Sequence, residues 1–301
     1  APVKPGIHIF DDFEVSTLRK YIDWTPFFMT WSLVGKYPTI FDHEEVGEEA
    51  QRLYKDANEL LDRVEREGLL KARGMCGLFP AASVGDDIEV YTDESRTEVA
   101  KVLHNLRQQT EKPKGSNYCL SDYVAPKESG KRDWVGAFAV TGGIGERELA
   151  DEYKAQGDDY NAIMIQAVAD RLAEAFAEYL HERVRKEIWG YAADEALSNE
   201  DLIREKYQGI RPAPGYSACP EHTEKGPLWE LMNVEENIGM SLTSSYAMYP
   251  GASVSGWYFS HPDSRYFAIA QIQEDQLQSY ADRKGWDRIE AEKWLGPNIN
   301  G

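Results

Sequence analysis

The apolar positions of the chain follow two periods, and the switches between them outline its architecture. Between residues 46 and 67, Ala50, Leu53, Tyr54, Ala57, Leu60, Leu61 and Val64 recur three and four apart, the spacing of one face of an α-helix. Gly68 follows, where a left-handed cap forms most easily. The stretches "LLKARGMCGLFPAASVG", "DDIEVYTD", "TEVAKVLHNL" and "DWVGAFAVTGGIG" are short, rich in β-branched and aromatic residues and separated by turn signals, which predicts antiparallel strands. One hairpin turns at Asp93-Glu94-Ser95-Arg96; the run 97–106 also fits a short helix through Val99, Val102, Leu103 and Leu106.

From Glu146 the period returns to helical: 146–156, a break at Gly157-Asp158, then a long helix from about 159 to 188. Its stripe is Ala162, Ile165, Ala169, Leu172, Ala173, Phe176, Leu180 and Val184, and Asp158 or Asp159 can cap its start. Ser198-Asn199-Glu200-Asp201 opens another short helix. Within 240–273, "MSLTSSYAMYP" and "YFAIAQI" read as strands, whereas 274–284 and 287–295 read as helices. No repeat or low-complexity linker interrupts the chain. The expectation is therefore one α+β domain over 1–301, a mostly antiparallel twisted β-sheet with long helices packed against it.

Charge narrows the function. A formal net charge of −19 over 301 residues argues against nucleic acid as the main partner, because phosphate binding needs a concentrated basic surface. Residues 101–132 run the other way, with seven Lys/Arg against three acids. No window of 18 apolar residues exists and the first residues lack a charged-then-apolar leader, so neither a membrane span nor a signal peptide is expected, and a cytoplasmic location is. Cys76, Cys119 and Cys219 are odd in number and widely spaced, which fits reduced thiols. Cys219 and His222 share a C-x-x-H spacing without a second ligand pair nearby, so no bound metal is expected.

Gly142-Gly143-Ile144-Gly145 sits between a strand and a helix, but it has neither G-x-G-x-x-G spacing nor a following Lys-Ser/Thr, and it reads as a tight turn. No G-x-S-x-G elbow or H-E-x-x-H pair is present. The stretch Arg211-Pro212-Ala213-Pro214-Gly215-Tyr216 is different. Two prolines fix φ and remove donors, leaving peptide groups near Ala213 and Gly215 free to meet a ligand; Gly215 permits close approach and Tyr216 can cover the bound molecule. Arg211 can hold a carboxylate with two prongs, worth about 1.5 to 3 kcal/mol. An ordinary proline-rich turn bearing a surface arginine fits the same six residues.

"RPAPGYSACPEHTEK" resembles the arginine–glycine–tyrosine loop in the S-adenosylmethionine-binding activation domain of cobalamin-dependent methionine synthases. Three further stretches are similar to that family: "FDDFEVSTLRKYIDWTPFFMTWSLVGKYP" at 10–38, the region from "LRQQ" to "DWVGAFAVTGGIG" at 106–145, and "YPGASVSGWYFSHPDSRYFAIAQIQEDQ" at 249–276. The resemblance spans essentially the whole chain. No D-x-H-x-x-G cobalamin motif accompanies it, since Asp42-His43-Glu44-Glu45-Val46-Gly47 matches only superficially. The resemblance implies an activation module whose corrinoid is carried elsewhere.

For function, the resemblance implies reductive methylation of inactive cob(II)alamin, with one electron from a flavoprotein such as flavodoxin and a methyl group from S-adenosylmethionine. The module then supplies positioning rather than a catalytic residue. The resemblance sets Arg211 against the ligand's carboxylate and Asp23 against its ammonium. It sets Ala213, Gly215 and Tyr216 along one side, partly through backbone, and Tyr266 and Phe267 on the other, where an aromatic face attracts a sulfonium. Glu174 and Glu205 are candidates to steer the sulfonium or a partner. Glu146 and Asp170 could hold a histidine released from the cobalt. Partners would be the cobalamin-binding module and an acidic flavodoxin docking at Lys112, Lys114, Lys131 and Arg132. Two other readings fit the binding residues: a non-catalytic module that senses S-adenosylmethionine, and a free-standing small-molecule methyltransferase, the latter without the usual glycine-rich turn.

Overall fold

The computed structural model describes residues 1–299. Its strands are β1 (Gly6–Phe13), β2 (Lys71–Val84), β3 (Asp87–Tyr91), β4 (Val99–Leu103), β5 (Asp133–Ile144), β6 (Ser241–Leu242), β7 (Met248–Tyr249) and β8 (Ser253–Tyr258). The main sheet is antiparallel in the order β4-β3-β2-β5-β8. β2 is long enough to take two neighbours on one edge: β1 pairs with its first half, Ile7 opposite Gly77, and β3 with its second, Ala82 opposite Glu89. β5 lines the other edge, and β8 lies beyond it with Gly256 opposite Phe138.

The helices are α1 (Val15–Leu18), α2 (Thr25–Thr30), α3 (Gly47–Glu67), α4 (Glu146–Ala155), α5 (Asp159–Arg183), α6 (Asn199–Ile203), α7 (Lys225–Met232), α8 (Val234–Ile238), α9 (Glu274–Lys284) and α10 (Arg288–Ile299). Strand residues alternate between the two faces of a sheet, and here both faces are covered. Phe138, Val140 and Tyr258 point into one core with Leu53 and Leu61 of α3 and Leu172, Phe176 and Leu180 of α5. Val135, Ala137, Ala139 and Trp257 point into the other with Leu228, Trp229 and Met232 of α7. A smaller cluster joins Leu277 and Tyr280 of α9 to Leu295 of α10.

The periodicity located α3, its left-handed Gly68 cap, the strand pair turning through Asp93–Arg96 and the helices α4, α5, α6, α9 and α10. The run 97–106 is β4 and its continuation rather than a helix. Asp158 is the residue that caps α5, its carboxylate accepting from the Asn161 amide at 3.0 Å. Beyond Arg183 the helix widens into a π turn over Val184–Ile188. "YFAIAQI" is not a strand. The Ile269 amide donates to Ser217 O at 2.7 Å and that of Ile272 to Asn298 O at 2.9 Å, so the segment is pinned singly over the loop it covers. β1, β8, α1, α2, α7 and α8 had no counterpart in the sequence reading.

Candidate functional site

The arginine loop lies on the end of β8 and is held there by backbone bonds. Ile210 and Phe259 exchange N–H···O bonds of 3.0 and 3.1 Å, and the Trp257 amide donates to Pro212 O at 2.9 Å. The turn beyond closes on itself: Gly215 N–H reaches Cys219 O at 2.8 Å and Tyr216 N–H reaches Ala213 O at 3.1 Å. The peptide groups expected to be free are thus partly spent on the loop's own shape. Gly215 also has another purpose than ligand approach. Its φ of +92° is left-handed, and a Cβ there would run into the His222 ring.

Arg211 is the centre of the site. Its Nη1 donates to Glu178 Oε1 and Tyr207 Oη, each at 3.1 Å, and contacts His181 Nδ1 at 3.0 Å. Nη2 donates to Glu178 Oε2 at 2.8 Å. Its backbone N–H donates to Tyr266 Oη at 3.0 Å, and that hydroxyl pairs with Tyr207 Oη at 2.8 Å. Burial works against the guanidinium charge, yet the adjacent Glu178 carboxylate raises its pKa above the ordinary arginine value. Burial first, and then Arg185 and Arg211, hold the fully buried His181 well below the ordinary histidine value. With Nδ1 accepting from arginine, its proton sits on Nε2.

Two adjoining hollows open on either side of Arg211. One, of about 370 Å³, is walled by Phe138, Val254, Tyr266 and Phe267 and edged by Ala213 and Tyr216. The other, of about 300 Å³, holds Asp23, Arg171 and Glu178. Glu174, Glu205 and Arg211 border both, so the two form one cleft. Asp23 is fixed by its own turn, Oδ1 accepting from the Thr25 amide at 3.0 Å. Glu205 has a left-handed backbone, φ 55°. Partial desolvation raises the carboxyls of Glu174 and Glu205 above their ordinary values, opposed by Arg171 at Glu174 and by Arg211 at Glu205. Four carboxylates against two arginines make a wall that favours a cation.

Of the residues singled out in the sequence, Asp23, Glu174, Glu205, Arg211, Ala213, Tyr216, Tyr266 and Phe267 meet in this cleft, with Gly215 in the loop behind. Glu146, at the start of α4, and Asp170, on α5 one helical turn before Glu174, do not line the cleft themselves. Desolvation raises both carboxyls, and Asp170 adds to the effect at Glu146. Sequence reasoning missed Glu178, His181 and Tyr207. The signal was present, because Glu174, Glu178, His181 and Arg185 repeat at four-three-four spacing along one side of the long helix.

Of the cations in 101–132, Lys101, Arg107, Lys127 and Arg132 have carboxylate partners. Lys114 and Lys131 have none among the described residues. Cys76, Cys119 and Cys219 are free and buried. Among the described residues no three His, Cys, Asp or Glu gather as a metal site, and no helix is long and apolar enough to cross a membrane.

A family model described as "Vitamin B12 dependent methionine synthase, activation domain" matches residues 14–285. The fold is also that of a solved structure, "Crystal Structure of the MetH Reactivation Domain bound to AdoHcy". The two share 65% sequence identity over 100% of this chain and 92% of the other, with a TM-score of 0.97.

Proposed function

The chain belongs to the activation-domain family of vitamin B12-dependent methionine synthase, and from that premise we propose that its cleft binds S-adenosylmethionine and presents the methyl group for reactivation of the cobalamin enzyme. The observation that carries this reading is the charge arrangement around Arg211: one cation for a carboxylate, flanked by acids for two positive groups. Arg211 takes the α-carboxylate and Asp23 the α-ammonium through charge-assisted hydrogen bonds. Glu174 and Glu205 face the sulfonium. Tyr266 and Phe267 line the apolar side, and Ala213, Gly215 and Tyr216 shape the edge opposite them. The 65% identical structure bound to AdoHcy supports the assignment.

Methyl transfer from a sulfonium expels a neutral thioether, so no proton need move on this chain. Cobalamin, held on a separate module, supplies the nucleophile. The protein's share is to orient the donor and limit water at its reactive carbon. Glu146 and Asp170 stand ready as acceptors for an imidazole set free by that module.

Calorimetric titration with S-adenosylmethionine tests the reading. We expect one-to-one binding that weakens by about ten-fold or more in Arg211→Lys, which keeps the charge but lacks the fork. Acidification should weaken S-adenosylmethionine more than S-adenosylhomocysteine. Glu174 and Glu205 retain protons above the ordinary carboxyl range, and a protonated acid no longer attracts a sulfonium. The preference for the sulfonium ligand therefore rises with pH and levels off once both acids ionise. No binding, or the same preference at every pH, would sink the assignment.

The electron donor fits an acidic flavoprotein such as flavodoxin, docking at Lys112, Lys114, Lys131 and Arg132. Added salt should weaken that association; an association indifferent to salt and to neutralising these four would move the docking surface elsewhere.

A further inference from the structure

A guanidinium has two bidentate edges, and in this cleft they are treated differently. The Nη1–Nη2 edge of Arg211 is filled: Glu178 takes both nitrogens, and Tyr207 and His181 crowd the remaining Nη1 position. Nε and the second Nη2 hydrogen donate to no atom of the described residues. The Arg211 side chain is 18% exposed and that of Glu178 9%, so the occupied edge is the inner one.

Resting on the reading of Arg211 as the carboxylate site, we propose that Glu178 is a positioning residue that turns the free Nε–Nη2 edge of Arg211 toward the ligand, with Tyr207 fixing the tilt. Glu178 does not compete with the ligand. It stays on the inner edge as a lasting counter-ion, and the ligand's carboxylate completes the guanidinium from outside. Three acceptor residues on the inner nitrogens leave Arg211 little freedom to swing, so a carboxylate meets a donor pair already aligned. Tyr207 belongs to the same device, because its hydroxyl touches both Arg211 Nη1 and Tyr266 Oη.

A pair of ligands separates this role from a purely structural one. S-adenosylhomocysteine and its decarboxylated analogue S-adenosyl-3-thiopropylamine differ only in the group that Arg211 receives. For the wild-type chain we expect the carboxylated ligand to bind tighter by about ten-fold or more. In Glu178→Gln, and to a smaller degree in Tyr207→Phe, that ratio should collapse toward one, chiefly through weaker S-adenosylhomocysteine binding. Simple removal of negative charge would shift the ratio the other way, since the decarboxylated ligand is the more cationic.

If both variants weaken both ligands by the same factor, Glu178 and Tyr207 are only structural and the proposal is overturned. If Glu178→Gln fails to fold, Tyr207→Phe and Glu178→Asp decide by the same ratio, the aspartate keeping the charge at a shorter reach. If the wild-type chain itself shows no preference for the carboxylate, the assignment of Arg211 falls and takes this proposal with it.

Discussion

Replacing Gly256 with alanine should lower the midpoint of thermal unfolding and, separately, weaken ligand binding. Gly256 lies in β8 beneath the arginine loop, and a Cβ added there would sit 2.6 Å from Pro212 O and 3.0 Å from the Phe138 ring. The nearer atom is backbone and cannot rotate away. It is also held, because the Trp257 amide donates to Pro212 O at 2.9 Å. The loop must lift or the strand must sink, and overpacking of this kind costs roughly 1–3 kcal/mol. Arg211 is the residue next to Pro212, so any lift moves its guanidinium from Glu178. A larger side chain, as in Gly256→Val, should do more of both. Thermal melts and a titration on the same preparation would check it; a variant with unchanged stability and affinity would show that the loop is not seated on this strand.

Arg185→Ala should be more damaging to stability than any change in the open part of the cleft. Arg185 is fully buried, its Nε 2.8 Å and Nη2 2.6 Å from the Glu195 carboxylate, and its guanidinium carbon lies 4.3 Å from the centre of the Tyr207 ring. Truncation leaves the enclosed Glu195 carboxyl without its partner, which costs about 3–5 kcal/mol. Tyr207 loses its backing, so affinity should fall as well. Arg185→Met combined with Glu195→Gln removes both charges and should recover a good part of the loss in chemical denaturation. A single variant as stable as the wild type would mean that the pair is not enclosed.

Most of the frame could be read from residue patterns, and the exceptions have identifiable causes. α3 and α5 announce themselves because their buried stripes are long and uninterrupted. β1 was missed because "GIHIFDDF" carries two acids just before its last residue and buries little. "YFAIAQI" has strand composition, but its apolar residues are used to cover the loop and the cluster under α9 and α10, a demand that mimics strand periodicity. The cleft's ligand-facing residues came from likeness to a family. The groups behind them did not, although Glu178 and His181 stand at core spacing on α5. A polar residue in an apolar stripe is the signal for such a support, and its partner, distant in sequence, can be found only in the fold.

The polar stripe of α5 has a consequence for how such a site can change over generations. Glu174, Glu178 and His181 on α5, and Arg185 in the π turn that continues it, descend from the open cleft to full enclosure, about 16 Å at 1.5 Å per residue. At the top, a substitution alters a charge that water and ligand can accommodate. At the bottom, the same substitution strands a partner. Variation in ligand preference is therefore cheap at position 174 and nearly closed at 181 and 185, so one helix carries the adaptable part of the site at one end and its anchor at the other.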